Sequence, residues 1–583
     1  MKKKKRHDQP FRRPQKPGSI SRAAGQTLTS YDVGALPIIN HFIRRAKLED
    51  KLRQFVFEDK RCRIPPVTGI LLLLRNYLVS REPLYGVSEW AEECAPDLLG
   101  LSPDQVGSLN DDRAGRWLER LFDADCPSLG LTVARHIVGE FAVKLDEIHN
   151  DSTTVTFFGS YDGTTEKARV RGKRTPAVVL GHNKDHRPDL KQLLYKLTVS
   201  SDGSVPIAFG VDSGNVSDDK THIETWEFVR EIVGKPDFIY VADSKLASRE
   251  NMAYIANRSG RFISVLPRTR AEDKEFRRRV IQGEIEWHEI HRKRNDNGKV
   301  TDIVSTTTED FVTSEGFRLI WCHSTRKAEL DLASRGKRVR RTTESMRDLQ
   351  EKLNSPRTRY REEEKVRREL EKRLLTHSAH GWMIVQVEKI EEKKFSQATP
   401  GRRGPETKYI CEIKTRFRLH YCVDHEKLNE ESKHDGVFPL VTNVTELAVV
   451  EVLAAYKRQP FLEKRFAQFK SQFEVAPVFL KAVHRIVALL TVYFFALMIE
   501  ALIERELRLA MKREGIDSLP FYPEQRECRA PCTRRVIDLF GNIHRHELRT
   551  SDAGESVNFV TEISDLQREV LRLLGVPLDG YSK

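Results

Sequence analysis

Phe238-Ile239-Tyr240-Val241-Ala242-Asp243 holds an uncharged apolar run that stops on an acid. The run has the length of a strand. Its apolar character on both faces suits a parallel position inside a sheet. Upstream, Leu193 to Ser200 and Val205 to Val211 flank Ser201-Asp202-Gly203, which predicts a hairpin. Val155 to Phe158 is rich in β-forming residues, and a helix is expected near Lys220 to Val233. Downstream, a helix is expected from Ser248 to Asn257 and a strand from Arg261 to Leu266. The order is three strands, helix, strand, helix, strand. It predicts an α/β core with a mixed sheet flanked by helices.

Two acids fall on this core. Asp243 closes the apolar strand, and Asp151 sits at the first core strand in His149-Asn150-Asp151-Ser152-Thr153-Thr154. Taken singly, Asp151 reads as a polar turn or strand-end residue. Asp243 reads as a helix cap, with Ser244 and Ser248 beside it. Together they are expected to end strands of one sheet. Cutting a phosphodiester by in-line displacement uses two metal ions about 4 Å apart. Magnesium takes oxygen ligands, which carboxylates supply. A third acid, Glu463, lies early in a helix opened by Pro460. Lys470 is expected two turns further along the same face, with the small Ala467 between them.

The element order resembles the ribonuclease-H-like fold. Tyr456, Glu463 and Lys470 resemble the Y-x2-R-x3-E-x6-K pattern of insertion-sequence transposases of the DDE class. The pattern's arginine position holds Gln459, and Arg458 stands one residue earlier. Asp435-Gly436, followed by Leu440-Val441-Thr442-Asn443, is similar to the family's stretch ahead of the catalytic helix. Gly181-His182-Asn183-Lys184-Asp185-His186-Arg187-Pro188-Asp189-Leu190 is similar to a block of one subgroup, with Asn183 in place of its serine. Ser213 to Asp218 resembles another family loop. The resemblance implies that Asp151, Asp243 and Glu463 are catalytic and hold two Mg2+ or Mn2+ ions. It implies that Tyr456, Arg458 and Lys470 contact DNA phosphates, with Gln459 the alternative to Arg458 as a neutral donor. The partners implied are the element's terminal inverted repeats and target DNA, bound by a homodimer in the prokaryotic cytoplasm, at the nucleoid. Two rival readings are an inactive transposase-derived DNA-binding protein and a ribonuclease-H-like nuclease that cuts without joining.

Composition agrees with a nucleic-acid partner. The 583 residues carry a formal net charge of +14, and residues 1–30 form a basic arm with Lys2 to Arg6, Arg12, Arg13 and Lys16. The 8 cysteines are scattered, which argues against a disulfide framework. Cys528 and Cys532 sit close together without a second ligand pair, and read as unrelated thiols. His182 and His186 read as structural or DNA-facing rather than as zinc ligands. Ile486 to Ile499 is the longest apolar run; it is shorter than the roughly 20 residues that span a bilayer, and reads as a buried core helix. The expected domains are the arm 1–30, an all-α DNA-binding region 31–140, the core 141–274, a β/helical insertion 275–430, the core's second part 431–512 with the catalytic helix, and a C-terminal region 513–583. In the insertion, two charged helices, 341–354 and 357–375, are expected as a solvated hairpin.

Overall fold

The computed structural model describes residues 26–165, 169–184, 187–295, 297–472, 480–522, 524–550 and 556–582. The cations of the arm from Lys2 to Lys16 lie outside them, as does His186. The chain forms two compact units, Met1–Ser264 with Ala454–Lys583, and Val265–Leu453.

In the first unit the sheet runs in the order Pro206–Ser213, Lys191–Ser200, Glu147–Phe157, Ile239–Ala242, Arg261–Val265. The first two pairings are antiparallel, and the two made by Ile239–Ala242 are parallel. Helices His222–Val233 and Arg249–Ala256 follow their strands, giving the element order expected from the sequence. The hairpin turn needs its glycine. Gly203 has φ +76°, and a Cβ there would stand 2.8 Å from the Arg505 side chain.

The core of this unit forms around helix Val483–Arg513. Its most apolar window has a mean hydropathy of 2.5, and 94% of that window is buried inside the protein. Length and composition alone would let this helix cross a membrane. Here its apolar surface is covered by protein. Tyr493 lies 4.4 Å from Tyr77 of helix Pro66–Val79, and Phe494 lies 4.5 Å from Phe209 of the sheet, ring centre to ring centre.

The N-terminal region is not wholly helical. Strand Gln26–Asp32 straddles the expected end of the arm and pairs with His544–Thr550, which pairs in turn with Ser556–Val560. The helices expected after it are present from Leu36 to Glu140. Asn110 caps helix Asp111–Asp123 by accepting a hydrogen bond from the Arg113 amide.

The second unit is larger than the insertion read from sequence. Its sheet runs Val437–Thr442, Arg318–Ser324, Val300–Thr306, His288–Arg294. The strand Val437–Thr442 pairs antiparallel with Arg318–Ser324. The first charged helix starts earlier than expected and runs Thr325–Asn354, capped by Ser324; the second is Glu363–Thr376. They are not fully solvated, because Met346, Leu349 and Leu353 pack against Phe417 and Leu419. Those two residues belong to a long two-stranded ribbon, Met383–Gln397 with Tyr409–Val423.

Candidate active site

Parallel pairing brings two of the acids together. Asn150 pairs with Ala242, and the ladder stops there, one residue short of both Asp151 and Asp243. Side chains alternate across a sheet, so the two acids emerge on the same face, at neighbouring points. Asp151 is not at the end of its strand, as the sequence suggested. The strand continues to Phe157, held by its antiparallel partner Lys191–Ser200. Nor is Asp243 the cap of the following helix. Ser248 has that role, and a carboxylate oxygen of Asp243 accepts from the Lys245 amide at 3.0 Å.

Helix Gln459–Ala467 carries Glu463, with Pro460 in its first turn. Glu463, Lys464 and Ala467 are exposed, whereas Leu462, Arg465 and Phe466 are buried. The hydroxyl of Tyr456 links this element to the strand acids. Burial first, then the negative charges of Asp243, Glu463 and Asp151, push its pKa up to about 12. All three carboxylates therefore act on one half-buried hydroxyl. Buried Tyr240, whose pKa is also raised, responds first to burial and then to Asp243 and Asp151.

The helix is stitched to the strand bearing Asp151 by the two residues whose roles the sequence left open. The Arg458 guanidinium donates to both carboxylate oxygens of Glu147, one at 2.6 Å. Burial would raise the Glu147 pKa, but hydrogen bonds from Arg458 and His149 outweigh it and the group falls to about 2. Buried Gln459 donates to the Asn150 carbonyl at 3.3 Å, and its own oxygen lies 3.1 Å from His149 Nδ1. Both side chains are thus taken up by the protein.

Lys470 lies in a π-helical segment, Gln468–Gln472, and is half-buried. The wider turn moves it round the helix axis, off the strict two-turn face expected from an unbroken α-helix. The opposite face of the Glu463 helix is pinned by Arg465. Its guanidinium donates to the Gly203 and Ser204 carbonyls at 3.0 Å each, and to the Gln468 side chain at 2.8 Å. It also pairs with Glu504 of the core helix at 3.0 Å, both side chains being almost fully buried. Burial opposes the charge of Glu504, but Arg465, Lys464 and Arg508 hold its pKa below the usual range.

Sequence reading missed Lys184 as a site residue. Its ammonium donates to the Ser152 carbonyl at 2.7 Å and hydroxyl at 2.6 Å, and stands 3.6 Å from an Asp151 oxygen. The loop that carries it is anchored by Asn183, which donates to Gln192 at 2.9 Å and accepts from the Arg187 amide at 3.1 Å. Gly181 passes so close to Gly214 that a Cβ would lie 1.8 Å from the Gly214 carbonyl oxygen. The signal was in the sequence, since Gly181, Asn183, Lys184 and Gly214 all lie in the two stretches that resemble family loops.

The donor set suits a hard divalent cation, with carboxylate oxygens from two strands and a helix. Among the described residues, however, no three His, Cys, Asp or Glu side chains form a closed metal-ligand cluster.

Residues 28–134 match a domain family of unknown function, DUF4277, which is found in transposase-like proteins. No curated protein matches the chain.

Proposed function

We propose that this chain is a DNA transposase of the DDE class, with a ribonuclease-H-like core in its first unit. The observation that carries the reading is the parallel ladder that brings Asp151 and Asp243 to neighbouring points of one sheet, with the Glu463 helix bound to the same strand through Arg458 and Gln459. These acids come from two adjacent parallel strands and a helix more than 200 residues later in the chain. The match of residues 28–134 to a domain of transposase-like proteins and the net charge of +14 support a DNA substrate.

In this reading Asp151, Asp243 and Glu463 hold two Mg2+ or Mn2+ ions. Such a pair activates the attacking oxygen and stabilises the leaving one. Lys184 holds positive charge beside Asp151 and fixes the strand through Ser152. Tyr456, kept in its neutral hydroxyl form, can donate to a DNA phosphate, and Lys470 offers a cation further along the helix. The helical N-terminal region binds the ends of the element, and two copies of the chain bring both ends together in the cytoplasm.

The test uses the full chain and a plasmid carrying the DNA that flanks its coding sequence. With Mg2+ or Mn2+, wild type should nick at the element ends and join the 3′ ends to target DNA. Asp243→Asn should abolish both while leaving binding of the end fragment unchanged, because Lys and Arg contacts to phosphate supply that affinity. Full activity in Asp243→Asn would refute the assignment. Cutting without joining would favour a nuclease.

A further inference from the structure

In the second unit, the ribbon Met383–Gln397/Tyr409–Val423 has fifteen registered pairs. At roughly 3.3 Å per residue it is about 50 Å long. Its two halves differ. In the proximal half Phe417 and Leu419 are buried against the helices Thr325–Asn354 and Glu363–Thr376, and Val385 and Val387 are half-buried there. In the distal half Glu391 to Ser396 are all exposed, and so are Lys408 to Lys414. Neighbouring residues point to opposite faces, so both faces of the distal ribbon are open.

An isolated two-stranded ribbon is marginal in water. This one nevertheless exposes large apolar side chains there, with Phe395 at 64% and Ile413 at 55%. A partner that lies along the ribbon would cover them. The charges identify its chemistry. Below the tip, in both halves of the ribbon, cations are matched to acids: Lys389 with Glu391, Arg416 with Glu392, Arg418 and His420 with Glu388, and Lys414 with Glu412. Around the tip they are not. Residues 393–408 contain five cations and a single acid, Glu406. Lys394, Arg402, Arg403 and Lys408 make no ion pair among the described residues, and all four are exposed. Pro400-Gly401 and Gly404-Pro405 bracket the two arginines, so little side-chain bulk surrounds the guanidinium groups.

We propose that the distal ribbon is a DNA-gripping arm: it lies in the major groove of duplex DNA, and Arg402 and Arg403 at its tip contact phosphates. The choice of DNA rests on the function proposed above. Three features fit that occupant. The major groove, about 12 Å wide, admits a two-stranded ribbon. Guanidinium groups match phosphate oxygens in bidentate geometry. Exposed apolar side chains on an inserted ribbon can meet thymine methyl groups. Duplex RNA fits less well, because its major groove is too deep and narrow for side chains to read.

The test measures binding of the full chain to a 40-base-pair duplex between 50 and 200 mM KCl by fluorescence anisotropy. Arg402→Ala with Arg403→Ala should lower the salt slope by about two ions, so that wild type loses about twelvefold more affinity over this range than the variant does. The change should be the same on duplexes of unrelated sequence, and the variant should melt with wild type. A second variant replaces Glu392–Lys414 by Asn-Gly, which closes the ribbon on the registered pair Glu391 and Thr415. It should lower the slope at least as much. An unchanged slope in both variants would overturn the arm, as would an equal loss on duplex RNA. If wild type cuts its end fragment while the slope stays unchanged, the arm alone fails. If wild type binds no duplex at all, the arm and the transposase reading fail together.

Discussion

Arginines near Glu463 and arginines at the ribbon tip are one residue type in opposite circumstances. Arg458 and Arg465 stand on either side of Glu463 in sequence, and each is consumed by the protein, Arg465 by Glu504 and the hairpin carbonyls, Arg458 by Glu147. Arg402 and Arg403 in the other unit have no such partners among the described residues. The first pair fixes backbone; the second pair is free to meet a polyanion. A count of basic residues near a proposed site therefore does not measure its hold on DNA. What counts is which cations remain after the protein's own acids have been satisfied.

The largest effect that can break this contrast is at Arg465. Arg465→Ala would leave Glu504 buried without its closest cation, a change that costs about 3–5 kcal/mol. Urea unfolding should show the loss directly, and a shift below 1 kcal/mol would mean that the pair does not pin the helix. Glu500, one turn before Glu504, sharpens the same point through pH. Burial, and then the charge of Glu504, raise its pKa from 4.5 to about 7. The folded state then holds a proton that the unfolded state gives up near pH 4.5. This share of stability is complete below that pH and is lost as pH rises towards 7. Glu500→Gln should flatten the decline, so that wild type and variant differ more in melting temperature at pH 8 than at pH 5. Equal differences at the two pH values would contradict the buried-acid reading.

Arg458→Ala should have the smallest effect on stability, about 1 kcal/mol, because water screens the exposed side of its pair with Glu147. It should leave the salt slope of DNA binding unchanged, in contrast to the tip variant. The acid limb should change as well. Glu147 has its pKa lowered from 4.5 to about 2. Its contribution is present above pH 4.5 and is lost as pH falls towards 2, and this loss should be shallower in Arg458→Ala. A drop of one ion in the salt slope would return Arg458 to the phosphate backbone.

The core strands were legible because their signals are local. Ser201-Asp202-Gly203 marks a turn wherever it occurs, and Ile239 to Ala242 is apolar throughout. Asp243 stands out as the acid that follows such a strand, whereas Asp151 lies inside its own strand and does not close it. Pairing was not legible. Val437–Thr442 reads as a strand, but its antiparallel ladder with Arg318–Ser324 has no signal in either stretch. The polar run from His149 to Thr154 lacks strand periodicity, because its burial is satisfied by distant groups such as Gln459, Thr198 and Lys184. The π-helical turn at Gln468–Gln472 has no signature in composition, so the register of Lys470 was read as if the helix were unbroken.

The strand Gln26–Asp32 also sets an order in time. Its partner begins at His544, whose ring lies 2.8 Å from Asp32 across a separation of 512 residues. During synthesis the early strand must wait, with its edge unpaired, until almost all of the chain has left the ribosome. Pairing across so long a loop is slow to form, and an open edge is a template for other strands. A chain that stopped before residue 544 would leave that edge open permanently. Premature termination would therefore yield a sticky product rather than a smaller working one.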